Sequence, residues 1–237
     1  MKYKPYKKDF SYSYTLGTSP TIGLLAYQPQ HVQEVLFSSK AQGEGIEKVR
    51  ALLKKHNIPS RIDDKQIEVL SKSENTYVIG IFEKYQTQLI PEENHVILVN
   101  PSDTGNLGTI IRTMSGFATN NLAIVTPAVD IYDPRVIRAS MGEVFHTNVM
   151  YFQTFENYQK VFSRTCYAFM LTGSKLLQSI TFTPPYTLVF GPEGAGLDES
   201  FAKSCIPVRI EQTDVIDSLN LSIAVGIGLY ATFTEHS

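Results

Sequence analysis

The sequence has little cysteine and no hydrophobic run long enough to cross a membrane. Only two of its 237 residues are cysteine, Cys166 and Cys205, and they lie far apart in the chain. Two cysteines cannot form a disulfide framework or a four-ligand zinc site, so buried thiols in a reducing cytoplasm are the simpler expectation. No apolar run approaches the roughly 20 residues of a membrane span, and the basic N-terminus has no apolar core of the secretory type. We therefore expect neither a membrane protein nor an exported one.

Common metal-binding and nucleotide-binding motifs are also missing. The five histidines show no metal-ligand spacing, so we expect no bound metal. The glycine-rich segment 191–196 lacks the Gly-Lys-Ser/Thr ending of a phosphate-binding P-loop and the third glycine of the dinucleotide fingerprint. If this segment binds a ligand, the ligand belongs to another class.

The charge is nearly balanced overall but uneven along the chain. The net charge of −2 argues against a protein that binds nucleic acid over its whole surface. Residues 1–90 hold 13 Lys and Arg against 9 Asp and Glu, a net charge of +4, while residues 91–237 hold 8 against 14, a net charge of −6. A basic first third is a weak hint of an anionic partner, and a solvated surface explains it as simply.

The apolar patterns predict an N-terminal arm and two α/β units. Residues 1–18 are expected to form an irregular arm, whose lysines suit phosphate and whose tyrosines suit stacking on RNA bases, although a loosely ordered terminus is equally consistent. Residues 19–88 are predicted to form a small α/β domain that begins with a helix capped by Ser19. Residues 95–237 alternate apolar strands with helical patterns, which indicates a mostly parallel sheet covered by helices on both faces.

Polar loops follow the apolar strands of the second unit. The strand predicted at 187–190 ends at the glycine segment 191–196, and an earlier strand leads into a turn with Asn106 and a helix with Arg112. Open α/β sheets bind ligands at the carboxyl ends of their strands. A tight turn before a capped helix would also explain the glycines. Arg112 could equally be a surface residue whose aliphatic stem packs on apolar neighbours while its guanidinium stays in water.

Three separated blocks resemble the SpoU (TrmH) branch of the SPOUT-superfamily RNA methyltransferases. They are residues 106–112 (NLGTIIR), 190–197 (FGPEGAGL) and 218–224 (SLNLSIA). The resemblance covers most of residues 95–233 and implies a trefoil-knotted α/β domain. Residues 19–88 are similar, more loosely, to the ribosomal-protein-like RNA-binding domain often fused in front of this fold.

The resemblance implies transfer of a methyl group from S-adenosylmethionine to a ribose 2′-hydroxyl of RNA. Ribosomal RNA is the first candidate substrate and tRNA the next. The resemblance also implies a homodimer formed through the last helix, and a site that consists of catalytic residues and cofactor-binding residues. The catalytic set is Asn106, Arg112, Glu193, Ser218 and Asn220, and the cofactor contacts are Gly191, Ile210 and Leu219.

Residue chemistry suggests a role for each member of the catalytic set. An unperturbed arginine pKa above about 12 makes Arg112 a poor base, so we expect it to position phosphate and stabilise the ribose oxygen. Asn106, Ser218 and Asn220 are expected to fix Arg112 and the ribose through hydrogen bonds. For Ser218, capping of the following helix is an alternative role. Glu193 is expected to orient Arg112 or nearby amides.

Two alternatives from other classes remain at this stage. The chain could be a non-catalytic RNA-binding or assembly protein that retains the fold, or a small-molecule enzyme with a chance match. Glu211 also follows Ile210 where many relatives have proline, which predicts a less rigid cofactor loop and a lower cofactor affinity.

Overall fold

The computed structural model describes residues 2–71, 75–213 and 215–235. Met1 of the predicted arm, residues 72–74, Asp214, and His236 and Ser237 at the end of the predicted second domain lie outside the described residues. The elements in chain order are β1 (Tyr12–Tyr14), α1 (Thr18–Tyr27), β2 (Val32–Phe37), α2 (Glu44–His56), β3 (Ser60–Ile62), α3 (Asp64–Ser71), β4 (Val78–Glu83), β5 (His95–Val99), α4 (Thr104–Gly116), β6 (Asn121–Val125), α5 (Pro134–Ala139), β7 (Asn148–Phe152), α6 (Phe155–Val161), β8 (Thr165–Phe169), β9 (Lys175–Leu176), β10 (Tyr186–Phe190), α7 (Phe201–Ser204), β11 (Ile206–Arg209) and α8 (Leu221–Glu235).

The chain divides into two compact units. The first unit comprises residues 1–85 and 130–146, and the second unit comprises residues 86–129 and 147–237. These are groups of mutually packed residues rather than functional domains. The predicted arm, RNA-binding domain and methyltransferase domain, with limits at 1–18, 19–88 and 95–237, therefore stay a prediction.

The first unit is built around a four-stranded sheet in the order β1-β4-β2-β3. Strand β2 pairs parallel with β3 and antiparallel with β4, and both β2 and β4 carry apolar runs. Helix α2 buries Ile46, Val49 and Leu53, which recur at helical spacing. Basic residues in its last turn complement the helix dipole, and Asn57 ends it in a left-handed conformation.

The N-terminal arm is attached to the first unit through its tyrosines. The irregular structure predicted for it is wrong at Tyr12–Tyr14, where β1 pairs antiparallel with β4. Tyr3 is only 7% exposed, and its hydroxyl donates to Glu34 at 2.9 Å. Tyr3 and Tyr14 pack in the apolar cluster of this unit, whereas Lys7 and Lys8 are exposed. The lysines are thus accessible to phosphate, and the two buried tyrosines are not accessible to bases.

Helix α1 begins slightly earlier than predicted. Its N-cap position is Gly17, not Ser19, and no side chain caps it. Within the first turn, the Thr21 hydroxyl donates to the Gly17 carbonyl at 2.8 Å.

The second unit contains a seven-stranded sheet in the order β7-β6-β5-β10-β8-β11-β9. All six pairs of neighbouring strands are parallel, and helices flank the sheet, which confirms the predicted α/β class with a mostly parallel sheet. Strands buried on both faces need continuous apolar runs, and β6 and β10 are buried at every position.

A buried polar chain crosses the core of this sheet. His95 is fully buried, with Nε2 2.9 Å from the Ile90 carbonyl and Nδ1 2.8 Å from the Tyr158 hydroxyl, which lies 2.6 Å from the Thr187 hydroxyl. A carbonyl only accepts, so Nε2 carries the proton and Nδ1 accepts from Tyr158. Burial lowers the pKa of His95 to about 4, and the ring is therefore neutral at physiological pH.

Helix α8 packs against α4 and carries two glycines, Gly226 and Gly228. A Cβ on Gly228 would lie 2.9 Å from the ring of Phe169 and 3.1 Å from the ring of Phe190, whereas a Cβ on Gly226 would meet only Thr113 at 3.7 Å. Aromatic side chains, not a backbone, require glycine at position 228.

Across residues 2–71, 75–213 and 215–235, no helix has the length and apolarity that crossing a membrane demands. In the same described ranges, no three His, Cys, Asp or Glu side chains cluster in a way that could hold a metal ion.

Candidate active site

The candidate site lies where the strand order of the second unit changes direction. From β5 the chain continues to β6 and β7 on one side, and it later returns through β8 and β10 on the other side. The loops that follow β5 and β10 therefore leave the same edge of the sheet side by side, since Leu98 pairs with Phe190 near the end of each strand. Such a switch point is the expected place for a ligand in an open α/β sheet.

Four side chains form a continuous hydrogen-bonded chain at this edge. The Glu193 carboxylate accepts from the Ser102 hydroxyl at 2.9 Å, from the Ser102 amide at 3.2 Å and from Asn106 Nδ2 at 3.3 Å. Asn106 Oδ1 accepts from Asn220 Nδ2 at 3.1 Å. Loops that follow β5, β10 and β11 are thereby joined, although Ser102 and Glu193 are 91 positions apart.

The two asparagines lie at the starts of two helices. The Asp103 side chain caps α4 by accepting from the backbone amide of Asn106 at 2.7 Å. Asn220 caps α8, because its Oδ1 accepts from the amide and the hydroxyl of Ser222 at 2.9 and 2.6 Å. The Asn220 carboxamide is thus oriented by the cap, whereas the Asn106 carboxamide is held by its bonds to Glu193 and Asn220.

The Glu193 carboxylate is held in its charged form. Partial burial alone would raise its pKa, but hydrogen bonds from its own amide, from Ser102 and from Asn106 outweigh burial, and the net result is a lowered pKa. The group therefore places a fixed negative charge between the glycine loop and α4 at neutral pH.

A cavity of about 260 Å³ opens beside this chain, enclosed by the loops that follow β8, β10 and β11. Phe169, Phe190 and Ala224 supply apolar walls, and residues 191–197 form one side. Gly191 is required for this shape, since a Cβ there would lie 2.4 Å from the Gly196 carbonyl carbon. The cavity thus combines an apolar interior with backbone polar groups, which suits a small amphipathic ligand.

Most of the predicted site residues meet at these two places. Asn106, Glu193, Ser218 and Asn220 surround a second, shallower cavity, and Gly191, Ile210 and Leu219 line the deeper one. Glu193, Ser218 and Leu219 border both cavities. Ser218 does not cap α8, because Asn220 does, so the cap alternative for Ser218 is excluded.

Arg112 lies apart from this group. It is exposed on α4 six residues after Asn106, which turns its side chain by about 120° around the helix axis relative to Asn106. Among the residues that the structure describes, it has no hydrogen-bond or ion-pair partner, and it borders neither cavity. The predicted contact between Glu193 and Arg112 is not made within this chain.

Ser102 is a member of the site that the sequence did not single out. It lies in a polar loop without periodicity, and its contact with Glu193 depends on the pairing of β5 with β10. The only local signal is its place between a buried strand and a capped helix, where polar residues are common for many reasons.

Comparisons with known proteins identify the family. The sequence profile described as the SpoU rRNA Methylase family matches residues 93–230. An uncharacterized tRNA/rRNA methyltransferase of Synechocystis is 30% identical over 139 residues, which cover 57% of this chain and 51% of that protein. The 23S rRNA (guanosine(2553)-2′-O)-methyltransferase RlmP of Bacillus subtilis is 26% identical over 150 residues, which cover 60% of each chain.

A solved structure extends the similarity over nearly the whole chain. The AdoMet-bound rRNA methyltransferase from Sinorhizobium meliloti superimposes with a TM-score of 0.78 at 27% identity, covering 94% of this chain and 87% of that one. The matches to the two curated relatives span only 51% and 60% of those proteins' lengths. The family profile covers more than half of the chain, and the matched region contains the described site. This chain therefore belongs to the SpoU rRNA methylase family.

Proposed function

We propose that this protein is an S-adenosylmethionine-dependent RNA methyltransferase that acts on a ribose 2′-hydroxyl. The observation that carries the proposal is the hydrogen-bonded chain Ser102–Glu193–Asn106–Asn220 at the mouth of a glycine-walled cavity. RlmP, whose name describes 2′-O-methylation of 23S rRNA, supports the reaction type. Ribosomal RNA is the first candidate substrate and tRNA the second.

The cavity residues fit the proposed cofactor. S-adenosylmethionine joins a charged sulfonium and an amino-acid end to an adenosine, and the cavity combines aromatic walls with the open backbone of residues 191–197. Gly191, Ile210 and Leu219 would hold it, the first because no side chain fits there. When bound, the cofactor supplies an electrophilic methyl group, so no metal is required for activation.

The protein's contribution to the reaction is alignment. Glu193, Ser218 and Leu219 border both cavities, so the attacking ribose oxygen would lie beside them and face the deeper cavity. The Asn106 and Asn220 carboxamides are held by each other, by Glu193 and by the cap of α8, and they would bind the ribose by hydrogen bonds. Holding two reactants at contact distance removes much of the entropic barrier to transfer.

Arg112 is proposed to bind phosphate and to stabilise the developing charge on the ribose oxygen. Its exposure and its lack of a partner among the described residues leave all of its guanidinium donors available to an anion. The S. meliloti protein, described as an rRNA methyltransferase, supports an RNA ligand for this surface.

A homodimer through α8 is part of the proposal. Three large apolar side chains of this helix are exposed, namely Ile223 at 55%, Tyr230 at 60% and Phe233 at 46%. Phe117, which directly follows α4, extends the same patch, with its ring centroid 5.6 Å from that of Phe233. A contiguous apolar patch of this kind is costly in water, and a second copy of the chain would cover it symmetrically.

The compartment proposed for this activity is the cytoplasm. Cys166 and Cys205 are both free, as a reducing environment requires.

Mapping of ribose methylation tests the proposal. RNA from cells that lack the gene should miss one or a few 2′-O-methyl groups, and the wild-type gene should restore them. The Glu193→Gln variant should not restore them, because its amide would face the Ser102 donors, whereas the exposed Glu199→Gln variant should. Full restoration by Glu193→Gln, or an unchanged map in the deletion strain together with RNA binding by the protein, would favour a non-catalytic RNA-binding protein.

A further inference from the structure

The two cysteines of the chain meet on adjacent strands of the second unit, although they lie far apart in sequence. Strand β11 pairs parallel with β8, and Ile206 lies opposite Tyr167. Cys205 and Cys166 directly precede these two residues, and Cys205 has the extended backbone of a strand, with φ −129° and ψ 163°. The register of the two strands therefore continues back by one position, which places Cys205 opposite Cys166.

Opposite positions on neighbouring strands have the spacing that a disulfide requires. Neighbouring strands lie about 4.8 Å apart, and bridged cysteines have Cα atoms about 4.4–6.8 Å apart. The two side chains also lie on the same face of the sheet, since Cys166 belongs to the apolar cluster that contains Ile97 and Val189, and Cys205 packs against that cluster. The strands therefore hold the two thiols where a bond between the sulfurs needs no rearrangement of the sheet.

A small oxidant can approach the pair from the side of Cys205. Cys205 is half-buried at the end of α7, whereas Cys166 is buried. A hydrogen bond from Cys205 lowers the pKa of the Cys166 thiol below its ordinary value and so favours the thiolate. The thiolate is the form of cysteine that peroxides oxidise, and a second thiol beside it converts the first oxidation product to a disulfide.

A bond between these cysteines would restrain the chain segment that carries the glycine loop. Strand β8 lies between β10 and β11 in the sheet, so the connection from β10 to β11 crosses it. This connection contains residues 191–196 and α7, and Cys205 is its last residue before β11. A disulfide would therefore attach the end of the connection to the strand that it crosses.

We propose that Cys166 and Cys205 form a site of reversible oxidation, at which hydrogen peroxide converts the two thiols to a disulfide. One sulfur attacks a peroxide oxygen, the O–O bond breaks, and the products are a sulfenic acid and water. The second sulfur then attacks the sulfenic sulfur, an S–S bond replaces the S–O bond, and a second water leaves with the remaining thiol proton. Both sulfurs are thereby oxidised and the peroxide is reduced to water. A dithiol reductant reverses the bond, as it does for transient disulfides in the cytoplasm.

Thiol mapping of the full chain tests this proposal without any measurement of methyl transfer. The purified parent is treated with hydrogen peroxide, its remaining thiols are blocked with iodoacetamide in denaturant, and its peptides are identified by mass spectrometry with and without dithiothreitol. The expected product is a disulfide between the peptides that contain Cys166 and Cys205. The treated protein should keep the mobility of a single chain on a non-reducing denaturing gel, and dithiothreitol should restore both thiols.

Three variants sharpen the result. Cys166→Ser and Cys205→Ser should each fail to form a bond within the chain, whereas Ser204→Ala, a change at the exposed neighbour of Cys205, should be oxidised like the parent. A parent whose thiols both stay free, or whose sulfurs are oxidised separately or linked between two chains, would overturn the proposal. Since the parent gives the decisive result, a folding defect in a variant cannot conceal it. Absence of ribose methylation would bear on the proposed function alone.

Discussion

Arg112 is the predicted catalytic residue that, within the part of the chain that the structure describes, makes no contact with the other members of the site. It lies on an exposed side of α4, turned away from the Asn106 amide. Arg112→Ala should therefore leave the fold and S-adenosylhomocysteine affinity unchanged but reduce single-turnover methyl transfer by about 100-fold, the cost of losing one positioned charge-stabilising group. Arg112→Lys keeps the charge without the planar fork, so it should recover part of the rate. Equal rates for Arg112→Ala and the parent would remove this residue from the mechanism.

His95 makes the stability of the second unit depend on pH. Its folded pKa of about 4 lies below the unfolded value of about 6.5, so its stabilising contribution is complete above pH 6.5 and decreases as the pH falls toward 4. Between pH 7 and pH 5 the free energy of unfolding should fall by about 2 kcal/mol from this group. Urea unfolding of His95→Gln should lack that part of the decrease. A variant that keeps the parent's full pH dependence would show that another group is responsible.

Gly228 of helix α8 lies against two aromatic rings that also line the proposed cofactor cavity. The rings of Phe169 and Phe190 stack at 4.4 Å, line the cavity and lie against Gly228. Gly228→Ala should displace these packed rings, which would lower the melting temperature and weaken S-adenosylhomocysteine binding several-fold, even though alanine favours a helix. Gly226→Ala is the matched control, since it meets no close neighbour and should stabilise the protein by about 0.5–1 kcal/mol. A stable Gly228→Ala variant with normal affinity would contradict this packing argument.

The exposed apolar patch on α8 and α4 predicts the oligomeric state. Tyr230→Lys places a charge at the centre of the patch, where burial in a dimer would be costly. Sedimentation should give a dimer for the parent and a monomer for the variant. Tyr77→Lys, at another exposed tyrosine, should leave the dimer intact. A parent that sediments as a monomer would disprove the proposed dimer.

The positions of many strands and helices could be predicted, because they depend on the pattern of apolar residues within a short segment. The strand predicted at 187–190 is found at Tyr186–Phe190, because a continuous apolar run marks a strand that is buried on both faces. Strand β1 was missed because it has only three residues in a lysine-rich segment, and its pairing partner β4 is about 70 positions away. Within the site, the family motifs supplied Asn106, Glu193 and Asn220. Ser102 could not be predicted, because its contact with Glu193 depends on the pairing of β5 with β10.

At the scale of the whole molecule, the basic first third and the docked arm define how RNA would be bound. Tyr3 and Tyr14 are buried, whereas Lys7 and Lys8 of the arm are exposed and accessible to phosphate. Lys7→Gln/Lys8→Gln should weaken RNA binding at low salt and reduce the slope of log affinity against log salt by up to about 2. Lys160→Gln/Lys203→Gln, with the same charge change in the second unit, is the comparison. A salt slope identical to the parent's would show that the arm does not contact phosphate.

The distance along the chain between Ser102, Glu193 and Asn220 also has a consequence for biosynthesis. A nascent polypeptide that has emerged only as far as β8 holds Asn106 on its capped helix but has neither the carboxylate nor the amide that complete the hydrogen-bonded chain. The cavity is complete only after α8, which supplies Leu221 and Ala224, has left the ribosome. Premature termination anywhere before that helix would therefore yield an inert product rather than a partly active one.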